Sequence, residues 1–227
     1  AYDTGERPLF QYTGTSGMTD GALIWPSPQT SEISVMDIRF NGSGGGVYAY
    51  GVASWWTDLS RMTNLLLLRV ALDQTASNVF YTSGLFIANS TISGLANIFH
   101  NGNRLALINS EIGPATANHN LYGSNIDRGV ITGNYFHDAP NVAVRLSTQG
   151  GPTQNIVVSN NKIGRVAAPI TLASQTGGPT NYGSGHNILI ERNYIYDSDA
   201  GIKAQRDAYT DIIARNNIIM NTTYSLL

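Results

Sequence analysis

The chain has 227 residues, with Lys+Arg 13 against Asp+Glu 15 and a net charge of −2; it lacks the basic excess that a dedicated nucleic-acid binder needs. Charged residues are only 12% of the sequence, against a usual share of about 25%, and cysteine is absent, which excludes disulfide scaffolds, thiolate metal centres and thiol nucleophiles. No apolar run approaches the ~18 residues of a membrane-spanning helix, since the longest, Leu65 to Leu72, is broken by Arg69.

Taken in order, the chain repeats one pattern: a short β-rich stretch, a polar or Asn step, and an apolar anchor. Pro8-Leu9-Phe10-Gln11-Tyr12 already reads as such a coil element. Ile33–Phe40, Leu66–Leu72, Phe86–Ile92, Ala106–Ile112, Val130–Phe136, Ile156–Ile163, Ile188–Ile195 and Ile212–Ile218 follow. Their anchors are separated by 32, 20, 20, 24, 27, 32 and 23 residues, the period of a solenoid with variable loops. Within each stretch apolar and polar residues alternate, Val, Ile and Thr dominate, and Asn and Gly recur at the boundaries, which selects strand over helix. A second strand follows each of the first seven anchors, at Val47–Tyr50, Asn78–Tyr81, Leu95–Phe99, Asn120–Tyr122, Val142–Leu146, Pro169–Leu172 and Gly201–Ala204. Strands repeated in the same order stack as parallel sheets along one axis. The expectation is one all-β domain over residues 1–227, about eight coils long. Coil elements at both ends suggest a module of a longer chain, or ends covered by another domain or an oligomer partner.

Common motifs are missing. Gly42 to Gly46 lacks the Lys of a phosphate cradle and reads as a turn. Asp197-Ser198-Asp199 resembles the opening of a calcium loop, but the position for the closing bidentate Glu is Ala208. No metal ligand is therefore assigned, and calcium remains one candidate cofactor.

The steps Gly133-Asn134-Tyr135-Phe136, Ser159-Asn160-Asn161-Lys162-Ile163, Arg192-Asn193-Tyr194-Ile195 and Arg215-Asn216-Asn217-Ile218 resemble those of the right-handed parallel β-helix proteins of the pectate-lyase-like superfamily. Asn at such a turn accepts the left-handed backbone region, and stacked Asn side chains form a hydrogen-bonded ladder. The resemblance implies a secreted or cell-surface protein acting on or holding a polysaccharide. It carries no single family's catalytic set: Gly185-His186-Asn187 and Gly201-Ile202-Lys203 echo polygalacturonase motifs without the acidic residues.

In the second strands, Val144/Leu146, Ile170/Leu172 and Ile202/Ala204 are expected to point inward. Arg145, Thr171 and Lys203 then point outward, with Asn120 or Tyr122 one coil earlier and Tyr48 and Tyr50 farther up. Cations beside aromatic rings suit an anionic sugar. In a uronate lyase a cation neutralises the sugar carboxylate while a base removes the adjacent proton. Here Arg145 or Lys203 is the candidate base, with His119, His100 or Tyr122 assisting proton transfer. Tyr48, Tyr50, Trp55, Trp56, Asn120 and Thr171 are candidate substrate contacts, the tryptophans alternatively covering the core. His137-Asp138, in the turn after an anchor, reads as structural. The second reading is a non-catalytic recognition or structural solenoid, such as an adhesin or phage tailspike segment.

Overall fold

The computed structural model describes residues 7–11, 22–24, 32–41, 46–49, 63–80, 82–149, 151–173, 184–205 and 209–226. All regular structure among them is β-strand, in a 12-stranded and an 8-stranded sheet whose pairings are all parallel. Each repeat places a strand in the smaller sheet and then one or more in the larger, and in the later repeats the second is the longer. Thr153–Ser159 is followed by Lys162–Ala173, and Gly185–Glu191 by Tyr194–Gln205. Every strand pairs with its counterpart in a neighbouring repeat, which makes the chain a parallel β-solenoid.

The anchors form one inward row: Phe10, Phe40, Leu72, Ile92, Ile112, Phe136, Ile163, Ile195 and Ile219. The last corrects the sequence reading by one residue. Ile218 aligns with Tyr194 on the outer face and is 58% exposed, whereas Ile219 packs against the core. Ala204 aligns with the buried Leu172 in the inward register, as expected, and is exposed.

Between the short and long strand, one residue per repeat takes the left-handed conformation: Asp37, Arg69, Asn89, Asn109, Gly133, Asn160, Arg192 and Asn216. The next residue points inward. There Ser90, Ser110, Asn134, Asn161, Asn193 and Asn217 build a ladder in which each side-chain oxygen accepts from the backbone N–H of the preceding rung, at 2.9–3.1 Å. The carboxamides of Asn134, Asn161 and Asn193 also donate to the next Asn Oδ1 and to the carbonyls of Leu107, Ile131 and Val158. Buried polar groups demand such partners, so the Asn steps serve the scaffold. A second left-handed column, Asp138, Arg165, Asp197 and Asn221, divides the long strands into two halves, each with its own outer face.

Candidate functional site

On the second halves of the long strands and the short strands Gly46–Ala49 and Leu121–Ser124 that align with them, Tyr48, Val79, Phe99, Tyr122, Arg145, Thr171 and Lys203 occupy one register row. Leu121, Val144, Ile170 and Ile202, the inward neighbours of Tyr122, Arg145, Thr171 and Lys203, are buried, which turns these four residues to the outer side of the coil. The row is more enclosed than alternation alone suggests: Tyr122 and Thr171 are buried, Arg145 and Lys203 half-buried. Tyr122 stacks on Phe99 with ring centroids 4.8 Å apart, and the guanidinium carbon of Arg145 lies 5.0 Å from the centroid of the Tyr122 ring. The Tyr122 hydroxyl donates to Gln149 Oε1 at 2.8 Å. His119 sits 5.6 Å from Tyr122, centroid to centroid. Burial, reinforced by the positive charge of Arg145, lowers its pKa to about 4, so it is neutral at pH 7.

Sequence reasoning missed one member of this cluster, Tyr209. It comes from a strand of the smaller sheet, and its hydroxyl donates to the carbonyl of Leu146 at 2.8 Å. Its ring passes over Gly185, where a Cβ would overlap it. Burial, and then the neighbouring Tyr122, raise its pKa.

The remaining expected contacts fall elsewhere. Asn120 is fully buried: its Oδ1 accepts from Asn97 at 3.0 Å and its Nδ2 donates to the carbonyl of His137 at 3.1 Å. It is a scaffold residue and not a substrate contact, because both ends of its carboxamide are used inside the coil. His100 takes an inward position between Phe80 and Gly123, away from the row. Tyr50, Trp55 and Trp56 lie outside the described residues, and the side chain of Tyr48 is likewise not described. Asp197 and Asp199 are exposed, and Asp197 accepts from Asn221; no group of three His, Cys, Asp or Glu poised for a metal occurs among the described residues.

A second cluster occupies the outer face of the first strand halves, also unforeseen. Glu111, Tyr135, Lys162 and Tyr194 share one register row, and His137, Gly164 and Tyr196 share another. Arg165 grips Asp138 through Nε and Nη2 at 2.6 and 2.8 Å, and donates to the hydroxyls of Tyr135 and Tyr196, both at 3.1 Å. The two hydroxyls are 3.1 Å apart. His137 joins Asp138 at 2.7 Å to Glu111 at 3.1 Å. The hydrogen bond from Arg165 holds the Asp138 carboxyl down at about 2, and that carboxylate raises the pKa of Arg165 in return. The bond with Tyr196, followed by Arg165, lowers the pKa of Tyr135, whereas burial raises that of Tyr196. One signal for this face was present in the sequence: Tyr135, Lys162 and Tyr194 each directly follow a ladder Asn.

The described cations differ in their partners, and Arg192 lies 3.7 Å from Glu191. Arg39, Arg69, Arg128, Arg165 and Arg215 pair with Asp73, Asp37, Asp127, Asp138 and Glu191, and Arg104 donates to Asn64. Arg145, Lys162 and Lys203 pair with no carboxylate among the described residues, and Arg145 and Lys162 rest on tyrosine rings instead. No protein-family model, curated protein or solved structure matches the chain.

Proposed function

We propose that this is an extracellular right-handed parallel β-helix of about eight coils, of the pectate-lyase-like kind, that holds an anionic polysaccharide along the row from Tyr122 to Lys203. One observation carries the reading: Arg145 and Lys203 stand in register on either side of Thr171, neither neutralised by a carboxylate among the described residues. Two strand spacings put them roughly 10 Å apart, so that one extended acidic oligomer lying along the row can meet both. In a chain so short of charge, a cation left unpaired on a rigid face is available to a ligand's carboxylate or sulfate. Tyr122 fixes the guanidinium by a cation–π contact, which orients it without satisfying its donors.

We read the row as holding its ligand, with Arg145 and Lys203 as binding cations and no proton transfer assigned to His119. A general base works best with a pKa near the working pH, and His119, the imidazole beside the row, is buried with a pKa of about 4. The test measures binding of oligomers of polygalacturonate, alginate and heparin, with dextran as neutral control. Alongside, the ultraviolet absorbance of unsaturated products is followed on the parent polymers. The Arg145→Ala/Lys203→Ala double variant should lose affinity for the acidic oligomers and leave dextran unchanged. Equal binding by wild type and double variant would remove the site, and unsaturated product from wild type would replace holding with β-elimination.

A further inference from the structure

Lys162 stands out on the second face. Its Nζ lies 4.8 Å from the centroid of the Tyr135 ring and 5.4 Å from that of Tyr196, with no hydrogen bond or ion pair to a described residue. Two π faces therefore position the ammonium while leaving all three N–H donors open. Arg165 plays the opposite part. It is committed to Asp138 and to both phenols, so it shapes the face and is not available to a ligand.

The phenols supply a further donor. Both hydroxyls accept an N–H from Arg165, and one donates to the other. Each phenol carries one proton, so the pair keeps one that is not used within it. Beside them the Tyr194 ring stacks on Tyr196 at 5.3 Å between centroids and is 38% exposed, a flat apolar platform at the edge of the cation. Glu111, His137, Asp138 and Arg165 form a connected network that holds the face together, and Lys162 stands outside it. Platform, unfilled cation and hydroxyl donor together match one acidic monosaccharide unit: its apolar face meets the ring, its oxyanion the ammonium, and a ring hydroxyl the phenol.

We propose that Tyr135, Lys162, Tyr194 and Tyr196 form a second binding site for an acidic saccharide residue, separate from the Arg145–Lys203 row. It takes its ligand class from the function proposed above, but none of its residues. Tyr135 and Arg145 belong to one strand, Tyr135–Ser147, and lie on opposite sides of the left-handed residue Asp138, so one coil presents both sites on different faces.

The experiment titrates the chain with the same three acidic oligomers, kept short so that one molecule cannot span both faces. Stoichiometry is read by calorimetry, and the labelled tyrosine rings by NMR. Wild type should bind at two sites, with Tyr194 and Tyr196 resonances moving. Lys162→Gln should weaken the second site by about tenfold, the scale of one charge-assisted hydrogen bond, and Lys162→Arg should restore it. Lys162 and Tyr194 are exposed, so Lys162→Gln/Tyr194→Ala should fold normally and keep one site, which disappears when Arg145→Ala/Lys203→Ala is added. Unchanged stoichiometry and unmoved Tyr194 resonances overturn the second site. A single site lost only with Arg145 and Lys203 overturns this inference and keeps the first reading; a single site lost only with Lys162 and Tyr194 does the reverse. No binding by any of the three oligomers removes both.

Discussion

Arg145 and Tyr122 face each other across adjacent strands at the same register, the guanidinium carbon 5.0 Å from the centroid of the phenol ring. The ring and the hydroxyl do different jobs. The ring supports the cation and stacks on Phe99, while the hydroxyl ties the strand to Gln149. Tyr122→Phe should therefore cost about 1 kcal/mol of stability for the lost hydrogen bond and leave affinity for acidic oligomers nearly unchanged. Tyr122→Leu should cost about 2–4 kcal/mol through lost aromatic packing and should also weaken binding, because Arg145 is no longer held. Denaturant unfolding and ligand titration separate the two. If the Leu and Phe variants bind equally well, the ring does not position Arg145.

The ladder predicts a graded series. Asn161 Oδ1 accepts from the backbone and side chain of Asn134, and its Nδ2 donates to the Ile131 carbonyl and to Asn193 Oδ1. Asn161→Ala should cost about 3–5 kcal/mol, since several buried groups lose their partner together. Asn161→Ser should cost less, because Ser90 and Ser110 already fill the same rung position and accept the backbone N–H. Asn217→Ala, at the half-buried last rung, should cost least. Denaturation midpoints that ignore this order would show that the rungs are not what stabilises the turns.

Strand alternation and recurring Asn were enough to read the parallel solenoid and the Arg145–Thr171–Lys203 row, because both depend only on period and register. The final anchor slipped by one residue since two adjacent isoleucines, Ile218 and Ile219, satisfy the apolar pattern equally and only stacking on Ile195 decides between them. Asn120 read as outward because the inward ladder Asn78–Asn97–Asn120 has no local signature. Tyr209 and the Tyr135–Tyr196 pair were hidden for a related reason. Tyr209 reaches Leu146 from the other sheet, and Tyr196 meets Tyr135 across an intervening strand, where Gly164 leaves the room. Contacts that skip a coil depend on a neighbour's missing side chain, and no single repeat records that.

Burial of His100 makes stability depend on pH. The side chain is fully enclosed on the inward row and burial lowers its pKa from 6.5 to about 4. Between those values the unfolded chain binds a proton that the folded chain refuses. Stability is therefore complete above pH 6.5 and declines as pH falls toward 4, by at most on the order of 3 kcal/mol from this residue. His119, lowered to about 4 as well, acts in the same direction. His100→Leu should flatten part of the decline, and adding His119→Gln should flatten more. Urea midpoints at pH 7 and pH 5 give the slopes; parallel slopes for wild type and His100→Leu would assign the acid sensitivity elsewhere.

Gly164 links packing to the chemistry of the second face. The Tyr196 ring lies across it, so that a Cβ there would overlap the ring itself. In Gly164→Ala the ring must swing outward, and its hydroxyl leaves Arg165 and Tyr135. The displaced group is a half-buried side chain with solvent beside it, so the cost should be about 1–2 kcal/mol, at the low end of overpacking penalties. The electrostatic effect should be more distinctive. The bond with Tyr196 is the largest cause of the lowered Tyr135 pKa, ahead of Arg165. Losing it should move Tyr135 back toward an ordinary phenol. A spectrophotometric titration of tyrosinate should show one early-ionising tyrosine in the wild type and its upward shift in the variant, together with weaker oligomer binding at Lys162. A variant that keeps both the early titration and the affinity would mean that Tyr196 can leave Gly164 without consequence, and that the phenol pair is not what shapes this face.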